Sequence, residues 1–309
     1  MLQTVLASSK LRNIGRNRMQ ERAVEQIVDA GEGVRLLGLS SEVENGSPKG
    51  GIILLHGWEG SAKSAYIVSL GRFLFRSGFH VSRLNLRDHG DSHHLNEGLF
   101  FGTLLRESFT AVKAIADQWP DLPVFIAGFS MGGNFAIRIA KYCDRIPIPN
   151  LCGVLCINPP LNPLESTRRI DEFPLIRRYF VKKWQRSLVK NQELYPGLYD
   201  FREVLTMDRC WEMTKRLLAD YSDYKGPSDY FGEYTLTSGY LDSIHIPATI
   251  ITAEDDPIIS VDDFRKAKAA SGVDILIQPF GGHCGYIEGF GLSAWYQKIL
   301  LRRITKMAL

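Results

Sequence analysis

Short apolar runs rich in β-branched residues recur along this chain, and longer segments with the period of a helix separate them. Such runs are typical of buried strands, and their alternation with helices is typical of a mostly parallel sheet with helices on both faces. The sequence therefore predicts an α/β fold. The strand candidates are 51–57, 79–86, 123–129, 153–158, 247–253 and 273–280, and the helix candidates are 61–77, 102–118, 131–142, 260–271 and 291–305.

One stretch, 161–240, breaks this alternation, because it contains no convincing buried strand and is rich in aromatic residues. We predict that it is a helical lid inserted over the carboxyl edge of the sheet, between core segments 1–160 and 241–309. In its segment 175–190, residues four apart are apolar or aromatic, so they share one helix face and cations occupy the rest. These residues are Ile176, Phe180, Trp184 and Leu188. The helix is interpreted either as a lid helix with solvated cations or as a surface that meets anionic lipid.

The composition fits one large α/β domain with an insertion. The 309 residues are 45% hydrophobic and 23% charged, as in a globular protein with a sizeable core. The net charge of +3 is too small to indicate a nucleic-acid partner. The five cysteines form no C-x-x-C pair, so we expect free thiols in a reducing compartment.

The amino-terminal segment 1–23 is basic up to its first acidic residue, Glu21, and lacks the long apolar region of a secretory signal. We interpret it as a basic surface helix, with a weak organelle-targeting helix as the alternative. No apolar run in the sequence approaches the roughly 20 residues that a membrane-spanning helix needs. A cytoplasmic location is therefore expected.

The segment G-F-S-M-G-G, residues 128–133, joins a strand candidate to a helix candidate. In this context the pattern G-x-S-x-G predicts a tight turn that strains a serine and exposes its hydroxyl, and only glycine fits two residues away on either side. The helix that follows points its positive end toward the negative charge that develops during acyl transfer. Ser130 is therefore the candidate nucleophile. Without this context the pattern would indicate only a glycine-rich turn.

A serine hydroxyl needs a base, and His283 is the candidate, because its glycine-rich loop follows the last strand candidate. A carboxylate should hold the imidazole in one tautomer. Glu254, Asp255 and Asp256 all lie at the end of the preceding strand candidate. We select Asp256, because A-E-D-D-P-I-I matches a frequent turn, and keep Asp255 as the alternative. One of these acids is expected to have a structural role.

The loop after the first strand candidate reads H-G-W-E-G, residues 56–60. A main-chain N–H in this loop, together with that of Met131, can bind the oxygen of a tetrahedral intermediate. Trp58 is the candidate donor in the loop. His56 is interpreted as a brace that holds the loop by hydrogen bonds, with a direct catalytic role as the alternative.

The segment D-H-G-D-S-H-H, residues 88–94, contains side chains that can ligate zinc. They are Asp88, His89, Asp91, His93 and His94. We prefer to interpret the segment as a structural turn in a short loop, because a serine triad has no use for a metal. No metal and no cofactor are therefore expected.

Taken together, these motifs resemble the α/β-hydrolase superfamily, in which the catalytic residues follow the order found here, Ser130, Asp256, His283. H-G-W-E-G, L-R-D-H-G-D-S, G-F-S-M-G-G-N, A-E-D-D-P and G-G-H-C-G-Y span residues 51–286 and are similar to those of its YheT-like branch of predicted carboxylesterases and acylglycerol lipases. The resemblance implies a serine-triad mechanism without metal or organic cofactor.

The sequence thus predicts a serine hydrolase that cleaves small-molecule carboxylic esters, with an acyl chain in a mostly apolar pocket. Thioester hydrolysis, peptide hydrolysis and acyl transfer on the same triad are the alternatives within enzymes. A non-catalytic binding protein of the same fold is the alternative outside enzymes. The intact set of Ser130, Asp256 and His283 argues against a binding protein, which would not need all three.

Overall fold

An eight-stranded sheet forms the centre of the protein. The structure is a computed structural model that describes residues 2–7, 9–13, 15–44, 46–237, 239–289 and 293–307. The strands are β1 (Val24–Asp29), β2 (Arg35–Ser41), β3 (Gly51–Leu55), β4 (His80–Leu84), β5 (Val124–Phe129), β6 (Leu151–Ile157), β7 (Ala248–Ala253) and β8 (Val273–Gln278). They lie in the order β1-β2-β4-β3-β5-β6-β7-β8, and all neighbours are parallel except β1 with β2 and β2 with β4. The predicted fold class is confirmed.

Helices cover both faces of this sheet. They are α1 (Leu2–Ala7), α2 (Arg18–Glu21), α3 (Ala65–Arg76), α4 (Leu105–Ala116), α5 (Met131–Tyr142), α6 (Pro163–Glu172), α7 (Pro174–Leu194), α8 (Cys210–Tyr221), α9 (Pro227–Gly232), α10 (Val261–Lys266) and α11 (Trp295–Met307). Along β3, Ile53 and Leu55 pack with α4 and α5, whereas Ile52 and Leu54 pack with α3 and α11. A strand that is buried on both faces in this way has a continuous run of apolar residues, so β3 could be predicted from the sequence.

Between β6 and β7, the described residues form α6 to α9 and short 3-10 turns, and no strand. In α7, Ile176 and Leu188 are buried, and the half-buried Phe180 packs with its aromatic ring on the loop after β3. At the start of α7, the side chains of Leu175 and Tyr179 are 73% and 44% exposed. The role of this segment as a lid, and its contact with anionic lipid, stay predictions.

The sequence does not reveal the two antiparallel strands, β1 and β2. Strand β1 lies at the edge of the sheet, where most of its side chains are exposed, including Val24 and Ile27. An edge strand that buries so few side chains carries little hydrophobic signal. Strand β2 contains Gly38, whose missing side chain leaves room for Gln26 and Val28 of β1 but weakens the strand pattern.

The interpretation of the amino terminus as one basic surface helix is wrong. Helices α1 and α2 are separated by a 3-10 turn (Lys10–Asn13) and by Gly15, whose φ of +92° stops a helix. The segment is also not confined to the surface, because Met19 is only 1% exposed and packs in the core against α3.

Two further properties concern the cysteines and the helices. All five cysteines are free, as the sequence suggested. Within the described ranges, no helix combines the length and the apolar character that crossing a bilayer requires.

Candidate active site

Ser130 lies in a sharp turn between β5 and α5. Its φ of 50° and ψ of −120° are rarely adopted by a residue with a side chain, so the turn holds the serine under strain. The Ser130 N–H donates to the Ile157 carbonyl oxygen of β6 at 2.8 Å, and this bond fixes the turn to the sheet. A Cβ on Gly128 would lie 2.2 Å from the Gly132 oxygen, and one on Gly132 would lie 2.3 Å from the Leu55 oxygen. Both glycines are therefore required by close main-chain contacts.

These contacts give a prediction for stability. Because a Cβ at Gly132 would overlap main-chain atoms that cannot move freely, Gly132→Ala should lower the free energy of unfolding by about 3 kcal/mol or more. Denaturant unfolding measures the change. The control is Gly197→Ala, where a Cβ would meet nothing within 4 Å, and which should change stability by less than about 1 kcal/mol. Equal stability of the two variants would contradict the turn geometry.

His283 and Asp256 form a hydrogen-bonded pair at the carboxyl edge of the sheet. His283 Nδ1 lies 2.9 Å from Asp256 Oδ2, and the Asp256 side chain is fully buried. The other carboxylate oxygen, Oδ1, accepts the N–H groups of Ile258 at 2.8 Å and Ile259 at 3.1 Å. A carboxylate held at both oxygens has one orientation, and its bond to Nδ1 leaves Nε2 of His283 as the nitrogen that can act as a base.

The sequence did not single out Asn158, which forms a hydrogen bond with Asp256 of this pair. Asn158 Nδ2 donates to Asp256 Oδ2 at 2.5 Å, and the Tyr286 hydroxyl donates to Asn158 Oδ1 at 2.8 Å. Asn158 follows β6 directly and has a φ of 48°, a conformation that asparagine tolerates better than most residues. A polar residue at the carboxyl end of a buried strand is the signal that could have identified it.

The two neighbouring acids, Asp255 and Glu254, have partners other than His283. Asp255 Oδ1 accepts the N–H groups of Gly281 at 2.8 Å and Gly282 at 2.7 Å, so it orders the loop that carries His283. Glu254 pairs with Arg265 at the surface. The His283 N–H donates to Thr4 Oγ1 at 2.9 Å, so the amino-terminal segment also supports the loop.

The environment of His283 gives a prediction for pH dependence. Burial by itself would lower its pKa, but the charge of Asp256, followed by contributions from Cys284 and by the hydrogen bond to Asp256, raises the pKa of His283 well above 6.5. A histidine that takes a proton from serine must be neutral, so activity should fall as the pH falls through this pKa. We expect the acidic limb of kcat/KM against pH to have its midpoint above 6.5. A midpoint at or below 6.5 would contradict the pairing.

Residues 56–60, here called the oxyanion loop, lie beside Ser130, and a Cβ on Gly57 would be 3.1 Å from Ser130 Cβ. Three of the N–H groups in this loop have acceptors: Gly57 donates to Tyr66 Oη, Glu59 to His89 Nε2, and Gly60 to the Gly57 oxygen. The N–H groups of Trp58 and Met131 have no acceptor among the described residues. Two unpaired N–H groups beside a candidate nucleophile are the donors that a developing oxyanion needs.

Two buried histidines brace the oxyanion loop. His56 Nδ1–H donates to the Gly57 oxygen at 2.8 Å, and its Nε2 accepts the Leu86 N–H at 3.1 Å. His89 Nδ1–H donates to the Arg87 oxygen, and its Nε2 accepts the Glu59 N–H at 3.1 Å. Burial lowers the pKa of His56 to about 4 and that of His89 further below its usual value, so both rings are neutral near pH 7.

The candidate zinc ligands of segment 88–94 have other partners. Beyond His89, the ring of His93 bonds to Ser187 Oγ at 2.8 Å, Asp91 pairs with Lys63 at 2.8 Å, and Asp88 Oδ2 accepts the Phe100 N–H. His94 is exposed. In the part of the chain that the structure describes, no group of three or more His, Cys, Asp and Glu residues is placed to hold a metal.

Ser130 and His283 line the same cavity, here called the main cavity, which has a volume of about 570 Å³. Its walls are mostly apolar and aromatic, with contributions from Trp58, Tyr66, Phe129, Leu175, Ile176 and Phe180. Ser130, His283 and Trp58 line this one cavity, Asp256 pairs with the histidine, and the Met131 N–H follows the serine directly in the chain, so the arrangement can perform acyl transfer.

Comparisons with known proteins identify the family and the fold of the chain. The family model described as serine aminopeptidase, S33, matches residues 46–210, just over half of the chain. Among similar proteins, slr0264 of Synechocystis sp., whose name proposes an esterase, is 24% identical over 311 residues, covering 91% of this chain and 82% of the relative. Phospholipase ABHD3 of Mus musculus is 24% identical over 245 residues, which are 77% of this chain but only 58% of that protein.

A solved structure shares the fold: an esterase of Pyrobaculum calidifontis has a TM-score of 0.61 and 18% identity, covering 99% of this chain and 90% of that one. The relatives named as esterase and phospholipase support a carboxylic ester hydrolase. The YheT-like branch stays a prediction. By its match to the family model, the chain belongs to the serine aminopeptidase S33 family of the α/β-hydrolase superfamily.

Proposed function

We propose that this protein hydrolyses carboxylic esters that carry an acyl chain, through the triad Ser130, His283 and Asp256. The observation that carries the proposal is the His283–Asp256 pair at 2.9 Å, which shares one cavity with the strained Ser130. This arrangement supports Ser130 as the nucleophile, His283 as the base and Asp256 as the acid that orients it.

The chemical steps follow from this arrangement. Ser130 Oγ bonds to the ester carbonyl carbon while His283 Nε2 takes the hydroxyl proton. The N–H groups of Trp58 and Met131 hold the oxygen that becomes negative. The tetrahedral intermediate collapses, the bond to the alcohol oxygen breaks, and His283 returns its proton to that oxygen. Water then attacks the acyl-enzyme with His283 again as base, which releases the acid and restores Ser130.

The walls of the main cavity favour an ester over the amino-terminal amide that the family description suggests. An aminopeptidase must bind the positive α-amino group of its substrate, for which an ionised carboxylate is the usual partner. Among the described residues, Glu59 is the acidic residue that lines this cavity, and burial raises its pKa to about 8 although Lys183 opposes the shift. A carboxyl group that is mostly neutral at pH 7 is a poor partner for an ammonium group.

A fluorophosphonate probe and two chromogenic substrates test the proposal. We expect the probe to label Ser130 and the protein to hydrolyse p-nitrophenyl butyrate at least about a hundred times faster than an amino-acid p-nitroanilide. Absence of labelling in the folded protein would contradict the proposal and favour a binding protein. Labelling with faster cleavage of the anilide would favour a peptidase, and transfer of the acyl group to an added alcohol in preference to water would favour an acyltransferase.

A further inference from the structure

A second, smaller cavity lies against the oxyanion loop, between the sheet and the helices α6 to α9. Its volume is about 80 Å³. Trp58 and Glu59 line both cavities, and Met131 lines the smaller one. The two residues proposed to hold the oxyanion by their N–H groups therefore also contribute side chains to the wall of the second cavity.

The walls of the smaller cavity suit a hydrocarbon chain. Most of its large lining residues are apolar or aromatic, among them Leu99, Phe100, Leu188, Leu217, Leu218 and Phe231. Burial raises the pKa of the Asp88 carboxyl to about 7, and hydrogen bonds from the Phe100 N–H and the Asn191 side chain oppose this rise. The Asp88 carboxyl therefore has hydrogen-bond partners within the protein.

Trp58 lies in the wall that the two cavities share, because it lines both of them. It stacks on Phe180 with ring centroids 5.3 Å apart and meets Trp184 edge to face at 4.9 Å. Both partners belong to α7, so the partition is held by side-chain contacts to the inserted helices and not by main-chain bonds. A rotation of the indole, or its removal, would join the small cavity to the main one.

We infer that the smaller cavity binds the distal part of the acyl chain and that Trp58 sets the chain length that the enzyme accepts. This inference rests on the proposed ester hydrolysis. Because Trp58 and Met131 also line the smaller cavity, an acyl chain whose carbonyl oxygen is held by their N–H groups can extend toward that cavity. Because a space of about 80 Å³ accepts only a few methylene groups, chains that extend further are hindered while the indole stays in place.

The test compares Trp58→Ala, Trp58→Phe and the unmodified protein on p-nitrophenyl esters from acetate to myristate. Trp58→Ala keeps the main-chain N–H and removes only the partition. We expect kcat/KM for the laurate relative to the butyrate to rise about tenfold or more, as about two additional buried methylene groups would give. Trp58→Phe should give a smaller rise in the same direction, which keeps the test usable if the alanine variant does not fold.

Two further variants distinguish this effect from a general loss of packing in the inserted helices. Trp211 lies in α8, stacks on Phe231 and lines neither cavity. Trp211→Ala should therefore leave the ratio of kcat/KM for the laurate to kcat/KM for the butyrate within about twofold of its original value. Adding Leu217→Phe to Trp58→Ala refills the small cavity and should cancel the gain.

Labelling of Ser130 by a short-chain fluorophosphonate is measured in every variant. If the Trp58 variants are labelled but keep the original chain-length profile, the inference is overturned while ester hydrolysis stands. If the folded unmodified protein is neither labelled nor active on any ester, the proposed function and the inference both fail.

Discussion

Ser130→Ala should reduce kcat for ester hydrolysis by roughly 10⁶-fold, to the residual rate that binding and oxyanion stabilisation provide. The variant cannot form the acyl-enzyme, because no other hydroxyl occupies the strained turn between β5 and α5. Its folding should change little, since the lost atom faces the main cavity and the turn is held by main-chain contacts of Gly128 and Gly132. Steady-state hydrolysis and a thermal melt measure the two effects.

Ser77→Ala is the matched control. This serine lies at the end of α3, and its hydroxyl donates to the Phe73 oxygen of its own helix, so the substitution should leave activity within about twofold. A Ser130→Ala variant that retains more than a few per cent of the activity would exclude Ser130 as the nucleophile. A fall of many degrees in Tm would instead show that the serine supports the fold.

Most of the buried strands could be predicted from the sequence, whereas the exposed edge strand β1 and the buried strand β2, which contains Gly38, could not. Strands β3 and β5 are buried on both faces, so their positions follow from composition alone. Helix α5 was predicted with its observed bounds, 131–142, because glycines and an amphipathic pattern mark it. Helix α10 ends at Lys266, short of the predicted 271, and the alanines that follow do not continue the helix.

The candidate site shows a similar division. Ser130, His283 and Asp256 are each at the carboxyl end of a strand, and parallel strands end at one edge of the sheet, so their convergence follows from topology. Their supports could not be predicted in this way. Thr4 contacts the His283 loop from 279 residues away, and Asn158 reaches Asp256 from another strand. Contacts of this kind depend on the tertiary packing and leave no local pattern.

Asp256→Asn should lower kcat by roughly 10⁴-fold without unfolding the protein. The reason is the tautomer of His283. An asparagine whose Oδ1 keeps the N–H groups of Ile258 and Ile259 must turn its Nδ2 toward His283 Nδ1. An amide N–H that faces Nδ1 makes Nδ1 an acceptor, so the imidazole proton moves to Nε2. A protonated Nε2 cannot accept the proton of Ser130.

The asparagine also meets a second difficulty, because Asn158 Nδ2 donates to the oxygen that an amide nitrogen would replace. Asp255→Asn is the matched control: its acceptor oxygen can keep the Gly281 and Gly282 N–H groups, so kcat should fall less than about tenfold. The acidic limb of the pH profile separates the two roles further, since only loss of Asp256 removes the charge that raises the pKa of His283. If Asp255→Asn gave the larger loss and moved that limb to lower pH, while Asp256→Asn did neither, the triad acid would be Asp255, despite the 2.9 Å bond between His283 and Asp256.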